Sequence, residues 1–288
     1  MVHHFSRRQI NTDEDTYKDD QKLVALHRVA SRFVEMLRES VGYEDVYLVG
    51  IWKGDFPRAL VWSVEVAAGG VNSGTDSMEG HQLKPLPAPR WRRSVVARAP
   101  TWSWAAIEGP VHYPEPSSVS GHKGEFHPDA AVIEASVVCV DETEPFGQAV
   151  SGKLVLRGRL VHGLGCRKHI NGGDTRGGGG GGGGGDPIAG HRCRVQVGRK
   201  LDGSVSFVCD VAIAEEKERM SCLYLGKGRR KDLVDGDGVC YYAFLLLKEV
   251  EGGHGKIFER VGISSRDTGE DDADKILEMA EEDCVEIV

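Results

Sequence analysis

The chain has 288 residues, of which 40% are hydrophobic and 28% charged, and its net charge is -8. This composition is typical of a folded globular protein and excludes a chain that is disordered throughout. No apolar run approaches the roughly 20 residues of a membrane-spanning helix, and the start lacks the apolar segment of a signal peptide. We therefore expect a cytoplasmic protein without a membrane partner.

Residues 1–19 are polar and are predicted to form a flexible N-terminus, followed by a helical segment over residues 20–66. In the first helix, apolar residues from Leu23 to Leu37 recur at spacings of three and four, which places them on one stripe. Gly42 suits the end of that helix.

The same segment contains the start signal of a second, shorter helix. Pro57 follows Asp55, and proline is tolerated in the first turn of a helix because its missing N–H costs nothing there. The helix is predicted to continue through Leu60 to Val64. Residues 67–90, which contain glycine, serine and three prolines, are predicted to be a loop.

Residues 91–265 are predicted to form a β-rich domain, because short runs of β-branched or alternating apolar residues follow one another without helices between them. The predicted strands cover residues 131–140, 151–161, 193–197, 204–210, 221–225, 239–250 and 256–263. The expected fold class is α+β: N-terminal amphipathic helices followed by a mainly antiparallel β sandwich or barrel.

A flexible glycine-rich loop at residues 163–190 is predicted to interrupt this domain. It contains nine consecutive glycines, residues 177–185, which lose the most entropy on ordering and bury no side chain. A phosphate-binding loop would need a following helix start, whereas Asp186 and Pro187 follow here. We therefore interpret the run as a disordered insertion.

The remaining residues, 266–288, form an acidic tail with ten acids and two bases, a net charge of 2 - 10 = -8. This equals the charge of the whole chain, so the rest is neutral and does not favour nucleic acid as a partner. The tail is expected to form a short amphipathic helix or to remain solvated. A short basic cluster at residues 227–231 is predicted to be a solvated turn between strands.

Seven cysteines are scattered without the spacing of a disulfide framework, which favours reduced thiols. Those in or beside apolar runs are predicted to be buried: Cys139, Cys209, Cys222 and Cys240.

Two groups of residues suggest a metal or catalytic site. Cys166 with His169 and His191 with Cys193 flank the glycine run and could bind zinc tetrahedrally, although their spacing matches no standard finger. The histidines of the loop before residue 130 lie near two glutamates; these residues are His112, His122, His127, Glu108 and Glu125. Sequence proximity alone does not define a general base, so we expect exposed histidines, no catalytic residue, no metal and no cofactor.

The segment RAPTWSWAAIEGP, residues 98–110, contains two tryptophans one residue apart. On a strand, Trp102 and Trp104 would share one face, with Ser103 on the other. Such a pair can form an exposed platform for a ligand or fill a core, and without the fold the core is favoured.

Four segments in order resemble the C-terminal half of fungal heterokaryon-incompatibility (HET) domain proteins. They are KLVALHRVASRF (22–33), VYLVGIWKGDFPRALVW (46–62), RAPTWSWAAIEGPVHY (98–113) and VSGKLVLRGRL (150–160). Residues 241–261 and 283–288 are similar to later parts of that region. The structural motif that the resemblance implies consists of Trp52, Trp62, Arg98, Pro100, Trp102, Ser103, Trp104 and Gly109.

The resemblance implies a non-catalytic accessory or interaction region of a protein of non-self recognition and programmed cell death. No segment matches the HET domain itself, so the chain is expected to be a truncated or partial product. Its expected partner is a HET domain in cis or another incompatibility protein. The alternative is a β-sandwich ligand-binding module in which Trp102 and Trp104 form an aromatic platform.

Overall fold

A computed structural model of the chain describes residues 21–42, 45–64, 92–94, 97–108, 111–113, 126–168, 192–196, 204–210, 219–230, 239–250, 256–264 and 268–288. Within these ranges the chain is mostly β-strand and has two α-helices. Neither of these helices is long and apolar enough to cross a membrane. The predicted loop at residues 67–90 lies outside the described residues.

The first helix, α1 (Gln21–Val41), lies where the apolar stripe predicts it. Leu23 and Ala30 of the stripe are buried, and the Phe33 ring contacts Trp52 at a centroid distance of 5.7 Å. The helix ends at Gly42, whose φ of 62° is the left-handed conformation that glycine adopts readily.

The prediction of a second helix at Asp55 is wrong. The chain forms two 3-10 turns, Lys53–Asp55 and Arg58–Leu60, and Val64 lies in a strand. The reason is tertiary: the carbonyls of Leu60 and Trp62 accept hydrogen bonds from Arg260, far along the chain, and not from a following helical turn.

Six two-residue strands form three small antiparallel pairs near the N-terminal half of the chain. They are β1 (Tyr47–Leu48), β2 (Ile51–Trp52), β3 (Ser63–Val64), β4 (Arg92–Arg93), β5 (Ile107–Glu108) and β6 (Val111–His112). Strand β1 pairs with β2, β3 with β6, and β4 with β5.

A nine-stranded sheet contains the remaining strands of the described chain. Its strands are β7 (Phe126–Pro128), β8 (Ala131–Cys139), β9 (Ala149–Lys168), β10 (Arg192–Gln196), β11 (Ser204–Cys209), β12 (Arg219–Arg230), β13 (Val239–Glu249), β14 (Ile257–Ser264) and β15 (Glu281–Ile287). The second helix, α2 (Glu270–Leu277), lies between β14 and β15.

The pairings of this sheet form a closed ring. Strand β9 pairs with β15 and β12, β12 pairs with β13, and β13 pairs with β14. Strands β14 and β15 close the ring through a parallel pairing, whereas the other pairings described in this sheet are antiparallel. Strand β8 pairs with β9 outside the ring. Strand β10 pairs with β9 and β11, and β11 also pairs with β14.

Each predicted strand corresponds to one of β8 to β14, but two boundaries were wrong. Strand β9 continues to Lys168, so residues 163–168 do not belong to the glycine-rich loop; the predicted loop from residue 169 onward lies outside the described residues. The register between β9 and β12 is irregular at Gly163, which has a φ of 71°, a conformation that glycine adopts readily. Residues 227–230 of the basic cluster belong to β12, where β13 pairs with them, and do not form a turn.

The acidic tail contains the short amphipathic helix expected as one alternative, α2, with Ala273 and Ile276 buried. The other alternative, a solvated tail, is wrong, because the segment then continues as a central strand. Val285 and Ile287 are buried, while Glu282 and Glu286 of the same strand lie near bases of β9. Glu282 lies 3.6 Å from Arg157, and Glu286 lies 3.7 Å from Lys153. The alternation of apolar and acidic residues thus forms a strand despite the high charge.

Both faces of the sheet are buried along β13. Ala243, Leu245 and Leu247 enter one apolar cluster, and Phe244 and Leu246 enter another on the opposite face. We call the first cluster the tryptophan core, since it contains Trp62, Trp102 and Trp104. The second cluster is covered by α2.

The burial predicted for four cysteines is correct for Cys209 and Cys222 and wrong for Cys240, which is exposed; Cys139 is half-buried. Cys240 pairs with Arg229 near the outer end of the β12–β13 ladder, where no layer of the described chain covers its side chain.

Replacing Gly50 by alanine is expected to destabilise the fold strongly. Gly50 has a φ of 92°, and a Cβ atom there would lie 2.7 Å from Nε1 of Trp104. Left-handed strain and overpacking together should cost about 2–4 kcal/mol of unfolding free energy, measured by urea denaturation. Gly42→Ala is the matched control, since its φ is 62° and no atom lies within 4 Å. Equal losses in the two variants would contradict the packing described for Trp104.

Candidate functional site

The four segments that carry the resemblance meet in the tryptophan core. Segment 98–113 lies between segment 46–62 and strand β9. A Cβ atom on Gly152 of β9 would lie 2.2 Å from Cγ of Pro100 and 3.1 Å from Cζ2 of Trp102. Strand β9 can therefore accept this segment only because it has a glycine at that position.

Ser103 and Trp104 anchor their segment to the β1–β2 turn. The Ser103 hydroxyl donates to the carbonyl of Val49 at 2.5 Å, and Trp104 Nε1 donates to the carbonyl of Gly50 at 2.8 Å. The Ser103 hydroxyl also accepts from the amide of Ala105, which caps the 3-10 turn Trp104–Ala106.

The segment does not have the strand geometry that would place both tryptophans on one face. Trp102, Ser103 and Trp104 are all fully buried, and Trp104 lies in a 3-10 turn and not in a strand. The Ser103 hydroxyl stabilises the turn, because it accepts from the amide of Ala105. In a strand, that amide would donate to a neighbouring strand. Since neither indole has an exposed face, an aromatic platform built on these two tryptophans is not available to a ligand.

Trp62 and Trp102 are packed side by side through polar as well as apolar contacts. Trp62 Nε1 donates to the carbonyl of Trp102 at 3.2 Å, and the ring of Phe56 meets the Trp102 ring edge-on at 5.8 Å. Trp102 Nε1 is buried and has no hydrogen-bond partner among the described residues. Trp52, by contrast, is half-buried and contacts the rings of Phe33 and Tyr47.

The most unusual group in this region is the buried guanidinium of Arg260, on β14. It forms an ion pair with Asp210 at 2.6 Å and donates to the carbonyls of Leu60 at 2.7 Å and Trp62 at 2.5 Å. It also lies 3.3 Å from the centroid of the Trp62 ring, a cation–π contact. Burial raises the pKa of the Asp210 carboxyl, and the adjacent Arg260 opposes that rise.

Thr101 connects the same strand to the last residue. Its hydroxyl accepts from the amide of Arg260 at 3.0 Å and donates to the carbonyl of Val288. The amide of Thr101 also donates to this carbonyl, at 3.0 Å. The tryptophan segment is thus joined to β14 and to the end of β15.

Arg98 is the second buried arginine, and it stabilises its own segment. Its Nε donates to the carbonyl of Ala105 at 2.7 Å and Nη2 donates to Ile107 at 3.3 Å. Of the eight residues of the implied structural motif, only Gly109 lies outside the described residues.

Most of the other candidate sites from the sequence fall partly outside the described residues. His169 and His191 of the suggested zinc site do so, as do His122 and Glu125 of the histidine-rich loop. His112 lies in β6 and His127 in β7, on different sheets. Among the residues that the structure describes, no three or more His, Cys, Asp or Glu side chains form a metal-binding group.

Sequence reasoning missed one polar cluster, because its members are distant along the chain. His162 Nδ1 lies 3.1 Å from Ser221 Oγ, and Nε2 lies 3.5 Å from Asp283 Oδ2. Asp283 also forms an ion pair with Lys256, whose hydrogen bond lowers the pKa of the Asp283 carboxyl. The cluster connects β9, β12 and β15, and Lys256 compensates the charge of the Asp283 carboxylate.

No family model matches the chain, and no curated protein or solved structure matches it either. The resemblance to HET domain proteins therefore rests on the sequence segments alone.

Replacing Arg260 by methionine is expected to cost about 3–5 kcal/mol of unfolding free energy, because Asp210 would be left buried without a partner. The double variant Arg260→Met and Asp210→Leu should recover part of that loss. Arg157→Met, which breaks the exposed pair with Glu282, is the control and should cost less than about 1 kcal/mol. Urea denaturation measures all three; a double variant no more stable than Arg260→Met would contradict the role of the pair.

The Asp283 cluster predicts a contribution to acid sensitivity. The folded pKa of Asp283 lies below its unfolded value, so this contribution is present above the unfolded pKa and lost as the pH falls through the folded one. Between about pH 5 and pH 2, Asp283→Asn should therefore lose less unfolding free energy than the unaltered chain. Lys256→Met should reduce the same loss, and variants that follow the unaltered curve would contradict the interaction.

Proposed function

We propose that this chain is an accessory interaction region of a HET-type incompatibility protein. The observation that carries the proposal is the convergence of the four resembling segments on one core. Phe33 of the first contacts Trp52 of the second, and Ser103 of the third hydrogen-bonds to Val49 of the second. Gly152 of the fourth contacts Pro100 of the third.

This arrangement gives the motif residues a structural role. The indoles of Trp62 and Trp104 donate to backbone carbonyls of another segment, and the Arg98 guanidinium donates to a carbonyl of its own, so these side chains fix the path of the chain. Buried residues with their donors directed at the backbone are unsuited to contact a substrate. We therefore propose a non-catalytic region whose framework supports an interaction surface, with a HET domain as partner.

The proposed partnership is tested with a separately produced HET domain from a fungal incompatibility protein. The purified chain and the domain are mixed and analysed by size-exclusion chromatography and isothermal titration calorimetry. We expect co-elution and measurable heat of binding. Arg260→Met should lose binding together with the folded signal in near-ultraviolet circular dichroism, whereas Arg157→Met should keep both. Elution of the HET domain at its own volume in every mixture would contradict the proposal.

The non-catalytic part of the proposal is tested at His162, the histidine that lies beside a hydroxyl and a carboxylate. The purified chain is incubated with a nitrophenyl ester and with NAD, and product formation is compared with that of His162→Ala. We expect equal background rates for the two proteins. Turnover that the substitution abolishes would overturn this part of the proposal.

A further inference from the structure

Two β-bulges lie in the hairpin formed by β8 and β9. Ile133 is an extra residue on β8, since its two neighbours pair with consecutive residues of β9. Val150 is the extra residue on β9 for the corresponding reason. A bulge turns a side chain away from the face that strict alternation would give it.

Both bulged residues are aliphatic and more than half exposed, Ile133 at 54% and Val150 at 63%. Val138 and Val140, at the turn end of the same hairpin, are exposed to 57% and 63%. These four residues, which we call the β8 surface, are half of the eight large exposed hydrophobic residues in the described chain. The opposite face of the hairpin is buried in the tryptophan core through Ala135.

The aliphatic residues of the β8 surface favour a role in binding another protein over a role in protecting the sheet edge. Strand β8 pairs only with β9 among the described strands, and proteins protect such edges with bulges, lysines or prolines that discourage association. Here both bulges expose aliphatic side chains, which has the opposite effect. Several exposed aliphatic residues on one hairpin, with polar residues beside them, are typical of a protein-binding surface.

The rim of the surface is acidic. Asp141, Glu142 and Glu144 are exposed in the turn after β8, and residues 140–146 contain no base. Lys153, on the same hairpin, lies 2.9 Å from Glu134 and 3.7 Å from Glu286, so it is already compensated. A partner that covers the valines would place its own flanking groups against this negative charge.

We infer that the β8 surface binds a protein segment that presents aliphatic side chains flanked by lysine or arginine. The apolar side chains would cover Ile133, Val138, Val140 and Val150, and the bases would pair with the acids of the turn. This inference rests on the proposed function, because it names the surface and the partner chemistry of the interaction region.

The probe is a capped nine-residue peptide that alternates lysine and valine, with a glutamate and valine peptide as its matched control. Fluorescence anisotropy measures binding to the full chain. We expect the lysine peptide to bind, the glutamate peptide to bind at least tenfold more weakly, and added salt to weaken the complex. Val138→Lys combined with Val150→Lys should weaken the lysine peptide at least tenfold, and near-ultraviolet circular dichroism checks that this variant folds.

The matched control is Val29→Lys, which changes an exposed valine of α1 and should leave binding unaltered. The inference is overturned if the lysine and glutamate peptides bind equally or if the lysine peptide does not bind. It is also overturned if Val29→Lys weakens binding as much as Val138→Lys combined with Val150→Lys. Sedimentation that shows a dimer lost in the Val138→Lys and Val150→Lys variant would also overturn it, since the occupant would be a second copy. If that variant still co-elutes with a HET domain, the proposed function stands and only this surface is wrongly assigned.

Discussion

A guanidinium without access to water imposes the strictest requirement on this structure. Burying a charge costs several kcal/mol unless partners replace its hydration, and the partners of Arg260 come from separate parts of the chain. Asp210 compensates the charge, the carbonyls of Leu60 and Trp62 accept from Nη1 and Nη2, and the Trp62 ring covers one face of the guanidinium. All of these groups must be in place together, so segment 46–62, β11 and β14 are expected to be stable only as a unit.

Segment 98–113, which contains Trp102 and Trp104, contacts the same unit through Arg260 and Val49. Thr101 holds the backbone of Arg260 and the end of β15, while Ser103 and Trp104 hold the β1–β2 turn. Ser103 and Trp104 donate to carbonyls of the β1–β2 turn, and Thr101 donates to the carbonyl of Val288 and accepts from the amide of Arg260. These side chains thus pair with backbone groups, which an irregular buried segment needs. In this segment, donors on Arg98, Ser103 and Trp104 thus supply hydrogen bonds that a regular strand would take from its neighbours.

Much of the sheet could be predicted from the sequence, because β8 to β14 carry β-branched or alternating residues that are local signals. The two 3-10 turns that stand where a helix was predicted at Asp55 could not be predicted, and neither could β15. Local propensity at Asp55 favours a helix, but the carbonyl of Leu60 in that segment accepts from the distant Arg260. The strand pattern of Val285 and Ile287 is obscured by acids whose partners lie on β9. The burial of the tryptophans was predictable from their size, whereas their carbonyl partners and the His162 cluster depend on tertiary contacts that no sequence window contains.

The parallel pairing of β14 with β15 has a consequence for how the chain reaches this state. Strand β9 has its partner β15 roughly 120 residues further along the chain, and the ring closes only through that late strand. Contacts between such distant residues are entropically costly to form first, and they slow folding. During synthesis, the edge of β9 that pairs with β15 must therefore stay uncovered until β15 itself has been made. A newly made chain would depend on chaperones during that interval more than a protein with local pairings does.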